Sequence, residues 1–335
     1  MSRTNESVPE TGISRVHRLE TPVEWPPGHA AAYLLGDEEP ICVDAGMVGD
    51  EARAALFADL RDGGYEPADV EHLLLTHVHI DHVGGVRPLL ETASPTVYAP
   101  AIARERLSRD LETVRSETRR NLTEAGLYGS GLERAVDGVL EIHEGIRAAF
   151  PLEDVDVWID TDEPVSIAGR KFDPIYTPGH HVTHHCYGTD IDGARVLFAG
   201  DMVVEPFRAA AIHVNLTDGV RDGIDAYRDA LERLDGRAFD RVYPGHGPVH
   251  DAYDETVAFA LEDLADRLAE CRDRVASVCA EEGSASAFDL AVDRTDHPRR
   301  QVMELREILA ALGTLERRGQ VRSRLEDGVR LYEPT

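Results

Sequence analysis

The chain has 335 residues, 42% of them apolar, and its 63 acidic against 35 basic residues give a formal net charge of −28. The length exceeds one average domain, and the apolar share suffices for a buried core. The acidic balance disfavours nucleic acid and anionic membranes as partners, and no apolar run approaches a membrane span. The polar start of the chain lacks the apolar region of a secretory signal, so we expect a cytoplasmic protein without membrane contact.

The basic residues are almost all arginine, with Lys171 as the only lysine. Acidic residues spread along the whole chain, together with scarce lysine, are typical of proteins of halophilic archaea, whose carboxylates are screened at molar salt. An acidic partner-binding protein is the alternative, but its charge would gather in a tail. The four cysteines form no CxxC pair, which indicates free thiols in a reducing compartment.

Short apolar runs alternate with amphipathic stretches along most of the chain. The pattern predicts a hairpin from 30–35 and 41–43 and a helix over 51–62. A buried strand over 73–75 then leads into a histidine-rich turn, and a strongly charged helical segment spans about 101–150. We predict further strands at 96–99, 157–159, 164–168, 172–177, 186–189, 195–199 and 241–243, and further helices at 86–90 and 222–234.

Three histidines and one aspartate lie within six positions directly after the buried strand, at His77, His79, Asp81 and His82. Alternate side chains of a strand end point the same way, so His77 and His79 should face one point. Asp81 and His82 follow where the chain bends away and would offer ligands to a second position nearby. Because imidazoles and ionised carboxylates are the ligands that zinc prefers, this segment predicts a metal site rather than an ordinary polar loop.

Three further polar clusters follow later strands, each at a turn rich in glycine or proline. They contain His180 in the segment TPGHHVTHH, Asp201 after Gly200, and His246 in the segment YPGHG. Each cluster alone would be an ordinary turn, and glycine there lets the backbone turn sharply. Their occurrence in this order after the first cluster indicates a single metal centre.

With these motifs, the chain resembles the metallo-β-lactamase-fold hydrolases over roughly residues 13 to 250. The segment HVHIDH matches their HxHxDH signature, and Asp44 matches an early support residue. The resemblance implies an α+β fold, an αββα sandwich with the metals at one edge, and a catalytic domain over 13–252 with a helical insertion at about 101–150. It also implies the metal ligands, namely His77, His79 and His180 for one ion, Asp81, His82 and His246 for the other, and Asp201 as the bridge.

The resemblance further implies two divalent ions, zinc in the first place, although iron or manganese suit the same donors. Two such ions about 3.5 to 4 Å apart can share a hydroxide that attacks a carbonyl or phosphoryl centre. Asp81 would orient this nucleophile as well as bind a metal. His184 occupies the second histidine position of the TPGHxxxH element of glyoxalase-like members, either as support or substrate contact or as a packing residue. His213 is a candidate proton donor.

The tail over 253–335 is predicted as a separate small domain. Helices at 256–279, 284–290 and 298–318, followed by a hairpin that turns at Asp327-Gly328, resemble a winged helix. Some lactamase-beta-like hydrolases carry such a C-terminal domain. Because acids outnumber bases across the tail, we expect packing or homodimer formation rather than nucleic-acid contact. The arginines that could make such contact are Arg317, Arg318, Arg322, Arg324 and Arg330.

Three functions stay open at this point. The first is dinuclear zinc-dependent hydrolysis of an ester or thioester bond in a small molecule, with a glyoxalase-like metal shell. The second is a metal-dependent ribonuclease or phosphodiesterase. The acidic surface charge and the absence of recognisable RNA-processing motifs in the sequence disfavour this function. The third is an iron-dependent sulfur dioxygenase-like oxidoreductase, but such enzymes use one iron, whereas all ligands for a second metal are present here.

Overall fold

The computed structural model describes residues 15–36, 38–160, 163–292 and 298–335, and two β-sheets form its centre. The polar start of the chain, on which the expectation about a secretory signal rests, lies outside these residues. No helix within the described ranges is long and apolar enough to cross a membrane. The four cysteines, all of which lie within these ranges, form no disulfide, as the sequence predicts.

The first sheet has six strands that lie side by side in chain order. They are β1 (Val16–Pro22), β2 (His29–Leu35), β3 (Ile41–Val43), β4 (His72–Leu74), β5 (Thr96–Pro100) and β6 (Val157–Ile159). The first three strands pair antiparallel, and β3 to β6 pair parallel. The sequence does not indicate β1, because only Leu19 and Thr21 of this edge strand are buried.

The second sheet has five strands in the order β11, β10, β9, β8, β7. They are β7 (Val165–Ile167), β8 (Arg170–Tyr176), β9 (His185–Ile191), β10 (Ala194–Gly200) and β11 (Arg241–Pro244). Only β10 and β11 pair parallel, so their carboxyl ends lie at the same edge. The segments that follow these two strands contain Asp201 and His246.

Apolar side chains from alternate strand positions fill the space between the two sheets. Tyr33 of β2, Phe198 of β10 and Tyr243 of β11 meet there, with ring centroids 5.2 to 5.9 Å apart. Separate apolar clusters lie on the outer face of each sheet, where helices cover it. The predicted αββα sandwich of the α+β class is confirmed.

The sequence patterns predict the helices of the sandwich and its insertion, except for the short helix at Ile80–Val83, which lies in the segment predicted as a histidine-rich turn. They are α1 (Asp50–Asp62), α2 (Ile80–Val83), α3 (Val86–Thr92), α4 (Ala101–Leu107), α5 (Leu111–Glu124), α6 (Gly129–Ala149) and α7 (Gly223–Leu234), with 3-10 turns at Pro67–Asp69, Leu152–Asp154 and Val220–Asp222. Helices α1 and α3 cover the first sheet, and α7 covers the second. Helices α4 to α6 form the predicted insertion, whose Gly145 approaches Ile80 of α2.

The C-terminal region contains three helices and a small three-stranded sheet. Its elements are α8 (Tyr253–Glu282), β12 (Ala285–Ser286), α9 (Ala287–Val292), α10 (Pro298–Arg317), β13 (Val321–Glu326) and β14 (Val329–Pro334), with strand order β12, β14, β13. The segment predicted as a helix over 284–290 begins with strand β12, because Ala285 and Ser286 pair with β14. Leu312 and Tyr332 belong to the same apolar cluster as Leu231 of α7, so the region packs directly on the sandwich. Its boundary at 252 and its winged-helix likeness stay predictions.

Candidate metal centre

Four potential ligands meet where β4 and β10 end and where the loop between β8 and β9 turns. Nδ1 of His79 lies 3.1 Å from Nε2 of His77 and 2.8 Å from Nε2 of His180. Nε2 of His180 lies 3.1 Å from Oδ2 of Asp201. One ligand atom of each residue lies within 4.8 Å of those of the others, so the four side chains can hold a single ion.

A second group of ligands adjoins the first and consists of Asp81, His82 and His246. The first two belong to the short helix α2, and His246 follows β11; its Nε2 lies 3.3 Å from Oδ2 of Asp81. Asp201 reaches this group as well, with Oδ1 3.4 Å from Nε2 of His82 and Oδ2 3.4 Å from Nε2 of His246. The carboxylate of Asp201 therefore lies between the two groups.

Hydrogen-bond partners fix the rings of four of these histidines and leave Nε2 of each ring facing the centre. Such partners orient the ring and set its tautomer. The Nδ1 contacts are His77 to Thr76 Oγ1 at 3.0 Å, His82 to Asp44 Oδ2 at 2.9 Å, His180 to Ala210 O at 2.8 Å and His246 to His29 O at 2.7 Å.

Two buried polar atoms in the centre indicate that cations fit there. Nε2 of His82 and Oδ1 of Asp201 have no hydrogen-bond partner within the part of the chain that the structure describes. Buried polar atoms are rarely left in this state, and a divalent ion between them would satisfy both. Gly245 keeps the space open, because a Cβ at this position would collide with Asp201 and His82. The residues present thus fit two divalent ions.

The protonation states of the histidines differ between the two groups. Burial, together with neighbouring histidines, lowers the pKa of His77 and of His79 well below the usual value, so both rings are neutral. Burial also acts against a charge on His82 and His246, but the nearby carboxylates outweigh it. Asp201 and Asp44 raise the pKa of His82 well above the usual value, and Asp201 with Asp81 raises the pKa of His246 to about 10. Metal binding must therefore displace protons from the second group.

Asp44 supports both groups from beneath the centre. Its carboxylate accepts hydrogen bonds at 2.8 Å from the backbone N–H and the hydroxyl of Thr76, and it also contacts Nδ1 of His82. The residue is only 3% exposed and has a left-handed backbone with φ of 61°. Strained conformations of this kind persist where the surroundings impose them, often at functional sites.

His184 lies directly behind Asp201. Nδ1 of His184 lies 2.8 Å from the hydroxyl of Thr177, and its Nε2 accepts the backbone N–H of Asp201 at 2.9 Å. Both ring nitrogens are thus engaged in hydrogen bonds and are not available to bind a metal. Gly200 allows this approach, because a Cβ there would collide with the His184 ring. A direct catalytic role for His184 stays a prediction, whereas its contacts place it as a support for Asp201.

His213 lies outside both ligand groups. Its backbone N–H donates to the carbonyl of His180 at 2.8 Å, and its buried ring has no hydrogen-bond partner for Nδ1 among the described residues. Burial, aided by Arg106, lowers the pKa of His213 to about 4, so the ring is neutral at physiological pH. Its proposed role as a proton donor stays a prediction.

Several supports of the centre have no signal in the sequence. The carbonyls of His29 and Ala210 anchor metal ligands, but any residue type supplies a carbonyl. Thr76 and Thr177 are predictable as supports, because each is a residue with a hydroxyl group at the start of a predicted ligand segment.

Sequence similarity then assigns the family. The model of the metallo-beta-lactamase superfamily matches residues 25–246, which include every ligand of both groups. The chain belongs to the metallo-beta-lactamase superfamily. This finding confirms the resemblance that the HxHxDH motif and the three later ligands indicate. Membership of the glyoxalase-like branch stays a prediction.

Relatives of this chain are distant. A beta-lactamase-like protein 2 homolog of Caenorhabditis elegans is 25% identical over 232 residues, which cover 69% of this chain and 60% of that protein. An atrochrysone carboxyl ACP thioesterase of Cryptosporiopsis sp. (strain 8999) is 23% identical, over 65% of this chain and 48% of that protein. A probable metallo-hydrolase of Bacillus subtilis (strain 168) is 22% identical, over 67% and 88% respectively. The chain thus spans less than two thirds of the length of the first two relatives.

Two crystal structures share the fold over nearly the whole chain. A metallo-beta-lactamase family protein of Thermus thermophilus has a TM-score of 0.75 at 21% identity and covers 96% of this chain and 98% of its own. A beta-lactamase domain protein of Burkholderia ambifaria has a TM-score of 0.72 at 22% identity, over 96% and 92%. The likeness in fold therefore extends into the C-terminal region.

Proposed function

We propose that the protein is a dinuclear zinc-dependent hydrolase that cleaves an ester or thioester bond in a small molecule. The observation that carries this proposal is the position of Asp201, whose carboxylate lies within 3.4 Å of ligand nitrogens of both groups. A pair of bound zinc ions supplies Lewis acidity and lowers the pKa of water near a carbonyl carbon.

The side chains of the chain have distinct tasks in this reaction. Burial acts against ionisation of Asp81, but its contacts with His246 and His82 hold the pKa of this carboxyl below its usual value. Asp81 is therefore ionised at neutral pH and can accept a hydrogen bond from water as well as bind a metal. His79 is the only ligand of the two groups that is half-buried rather than buried, so solvent and substrate reach the centre on its side.

Two observations favour this chemistry over the alternatives. One relative bears the name of a probable metallo-hydrolase, which supports hydrolysis, and another bears the name of a thioesterase, which supports a thioester or ester bond. Both ligand groups are complete, which supports two ions rather than the single iron of a sulfur dioxygenase.

The five arginines near the C-terminal hairpin that the sequence offers for nucleic-acid contact provide evidence against a nuclease. Each of the five has a carboxylate within 4 Å, which lowers its availability for phosphates. The pairs are Arg317 with Asp222 and Asp225, Arg318 with Asp225, Arg322 with Glu333, Arg324 with Glu326, and Arg330 with Glu124. We therefore propose a small-molecule substrate and no nucleic-acid partner.

The acidic composition supports function at high salt. A net charge of −28 causes self-repulsion at low ionic strength, and molar salt screens it. We propose a cytoplasmic protein of a halophilic archaeon, whose activity rises with potassium chloride. Homodimer formation is part of the same proposal, and light scattering at molar salt tests it.

Metal analysis and a substrate panel test the proposed function. Purified protein should contain two zinc ions per chain, whereas one iron per chain would favour the dioxygenase. The panel compares thioesters, lactones, phosphodiesters and RNA at molar potassium chloride. Asp201→Ala should abolish hydrolysis, while Asp190→Ala, which removes an exposed carboxylate of β9, should leave it unchanged. Turnover of RNA without any thioester would contradict the proposal.

A further inference from the structure

The irregular loop from Arg208 to Ile212 contains the carbonyl that anchors a metal ligand. The oxygen of Ala210 lies 2.8 Å from Nδ1 of His180. The next residue, Ala211, donates its backbone N–H to Oε1 of Glu307 at 2.8 Å. Glu307 belongs to α10 of the C-terminal region. A carboxylate of that region thus holds the same peptide unit whose carbonyl orients His180.

A buried ionic network fixes Glu307 in this position. Glu307 is 5% exposed; its Oε1 lies 3.0 Å from Nη2 of Arg208, and its Oε2 lies 2.9 Å from Nη2 of Arg267. Arg208 also donates to the carbonyl of Ala209 at 2.8 Å and to Asp263 of α8 at 2.5 Å. The network therefore joins the loop to two helices of the C-terminal region.

Net stabilisation does not explain why such a network is buried. The desolvation of two charges offsets most of their attraction, and apolar residues of similar volume often replace a buried pair without loss of stability. The carboxylate of Glu307 accepts a hydrogen bond from the N–H of Ala211, which an apolar residue at position 307 cannot do. Without this acceptor, the irregular loop loses the bond closest to the Ala210 carbonyl.

We propose that Glu307 is a positioning residue for His180, so that the C-terminal region contributes to the metal centre without touching a metal. This inference rests on the proposed function, because it requires that His180 binds an ion. Direct hydrogen-bond partners of a metal ligand typically change metal affinity by about 10- to 100-fold when they are replaced, and Glu307 acts one contact further out, through the peptide unit of Ala210 and Ala211. We therefore expect weaker binding of the ion that His180 shares with His77 and His79.

Cobalt(II) titration of the metal-free protein, in competition with a chelator, measures the two dissociation constants separately. Glu307→Met keeps the shape of the side chain but has no strong acceptor. One constant should rise by about 10-fold, the lower end of the range for direct partners, while the other changes less. Glu307→Gln retains an oxygen for Ala211 and should bind both ions nearly as well as the wild type. Glu316→Met is the matched control, because Glu316 also lies in α10 and pairs with Arg221, away from the loop.

The outcomes separate this inference from the proposed function. A wild type that binds a single ion would contradict the dinuclear centre, whereas a wild type that binds no ion would remove the role of Glu307 as well. Two ions with equal changes of both constants in Glu307→Met, or with no change, would overturn only the positioning role. If Glu307→Met does not fold, loss of one ion in Glu307→Gln, which retains an acceptor for Ala211, still overturns the inference.

Discussion

Replacement of Asp44 by asparagine should weaken the second metal position without unfolding the protein. Asp44→Asn keeps an oxygen that can accept the N–H of Thr76, but the new amide N–H₂ faces the hydroxyl of Thr76 and Nδ1 of His82. Nδ1 must then accept a hydrogen bond, which moves the ring proton to Nε2. That nitrogen faces the second ligand group, and a protonated nitrogen cannot bind a metal.

The expected loss follows from this change of tautomer. Replacement of a residue that orients a histidine ligand costs about 10- to 100-fold in metal affinity, which corresponds to about 1.4 to 2.8 kcal/mol. Zinc titration should show the ion of the second group bound more weakly by this factor, with a smaller change in the other ion, which Asp44 supports only through Thr76.

Asp156→Asn is the control for Asp44→Asn. Asp156 also accepts a backbone N–H, from Val97 at 2.8 Å, but it lies outside both ligand groups. Its replacement should leave both zinc affinities unchanged. If Asp44→Asn also binds both ions with the affinity of the wild type, the argument from the tautomer of His82 is wrong.

Two further predictions concern space and protons in the centre. Gly245→Ala should prevent binding of both ions, because the new Cβ would collide with Asp201 and His82. The control Gly131→Ala places its Cβ in open space on α6 and should bind both ions. Mass spectrometry compares the metal content of the two variants. Zinc binding at neutral pH should release up to about two protons, because the pKa of His82 and of His246 is raised in the metal-free protein. The affinity should therefore fall as the pH falls, and binding heats should depend on the ionisation enthalpy of the buffer. Heats that are independent of the buffer would contradict the assigned protonation states.

The fold could be predicted from the sequence where short-range patterns carry the signal. Buried strands read as apolar runs, and the ligands follow them directly because the carboxyl ends of β4, β10 and β11 converge at one edge. Strand β1 escapes this reasoning, since it is a polar edge strand. Strand β12 is not predicted either, because it has only two residues and its partner strand β14 lies far away in the sequence.

The supports of the centre were harder to predict than its ligands, for a physical reason. A metal ligand must be one of a few residue types, so His180 and Asp201 stand out in the sequence. A carbonyl such as that of Ala210 carries no residue identity. Glu307 reads as one of three glutamates in a helix that also contains four arginines, and its role depends on a contact with Ala211, 96 positions earlier in the chain.

Helix α10 argues against the nucleic-acid role that a winged-helix likeness invites. A recognition helix must present one face to a groove, with side chains free to reach the bases. Every residue from 305 to 315 is buried here, including Glu307 in its ionic network and Gly313 against the backbone of Arg221. A helix that is buried on all sides over this length cannot enter a groove while the region stays packed on α7. The C-terminal region is therefore better understood as part of the outer helical layer of the second sheet, from which Glu307 reaches the loop beneath His180.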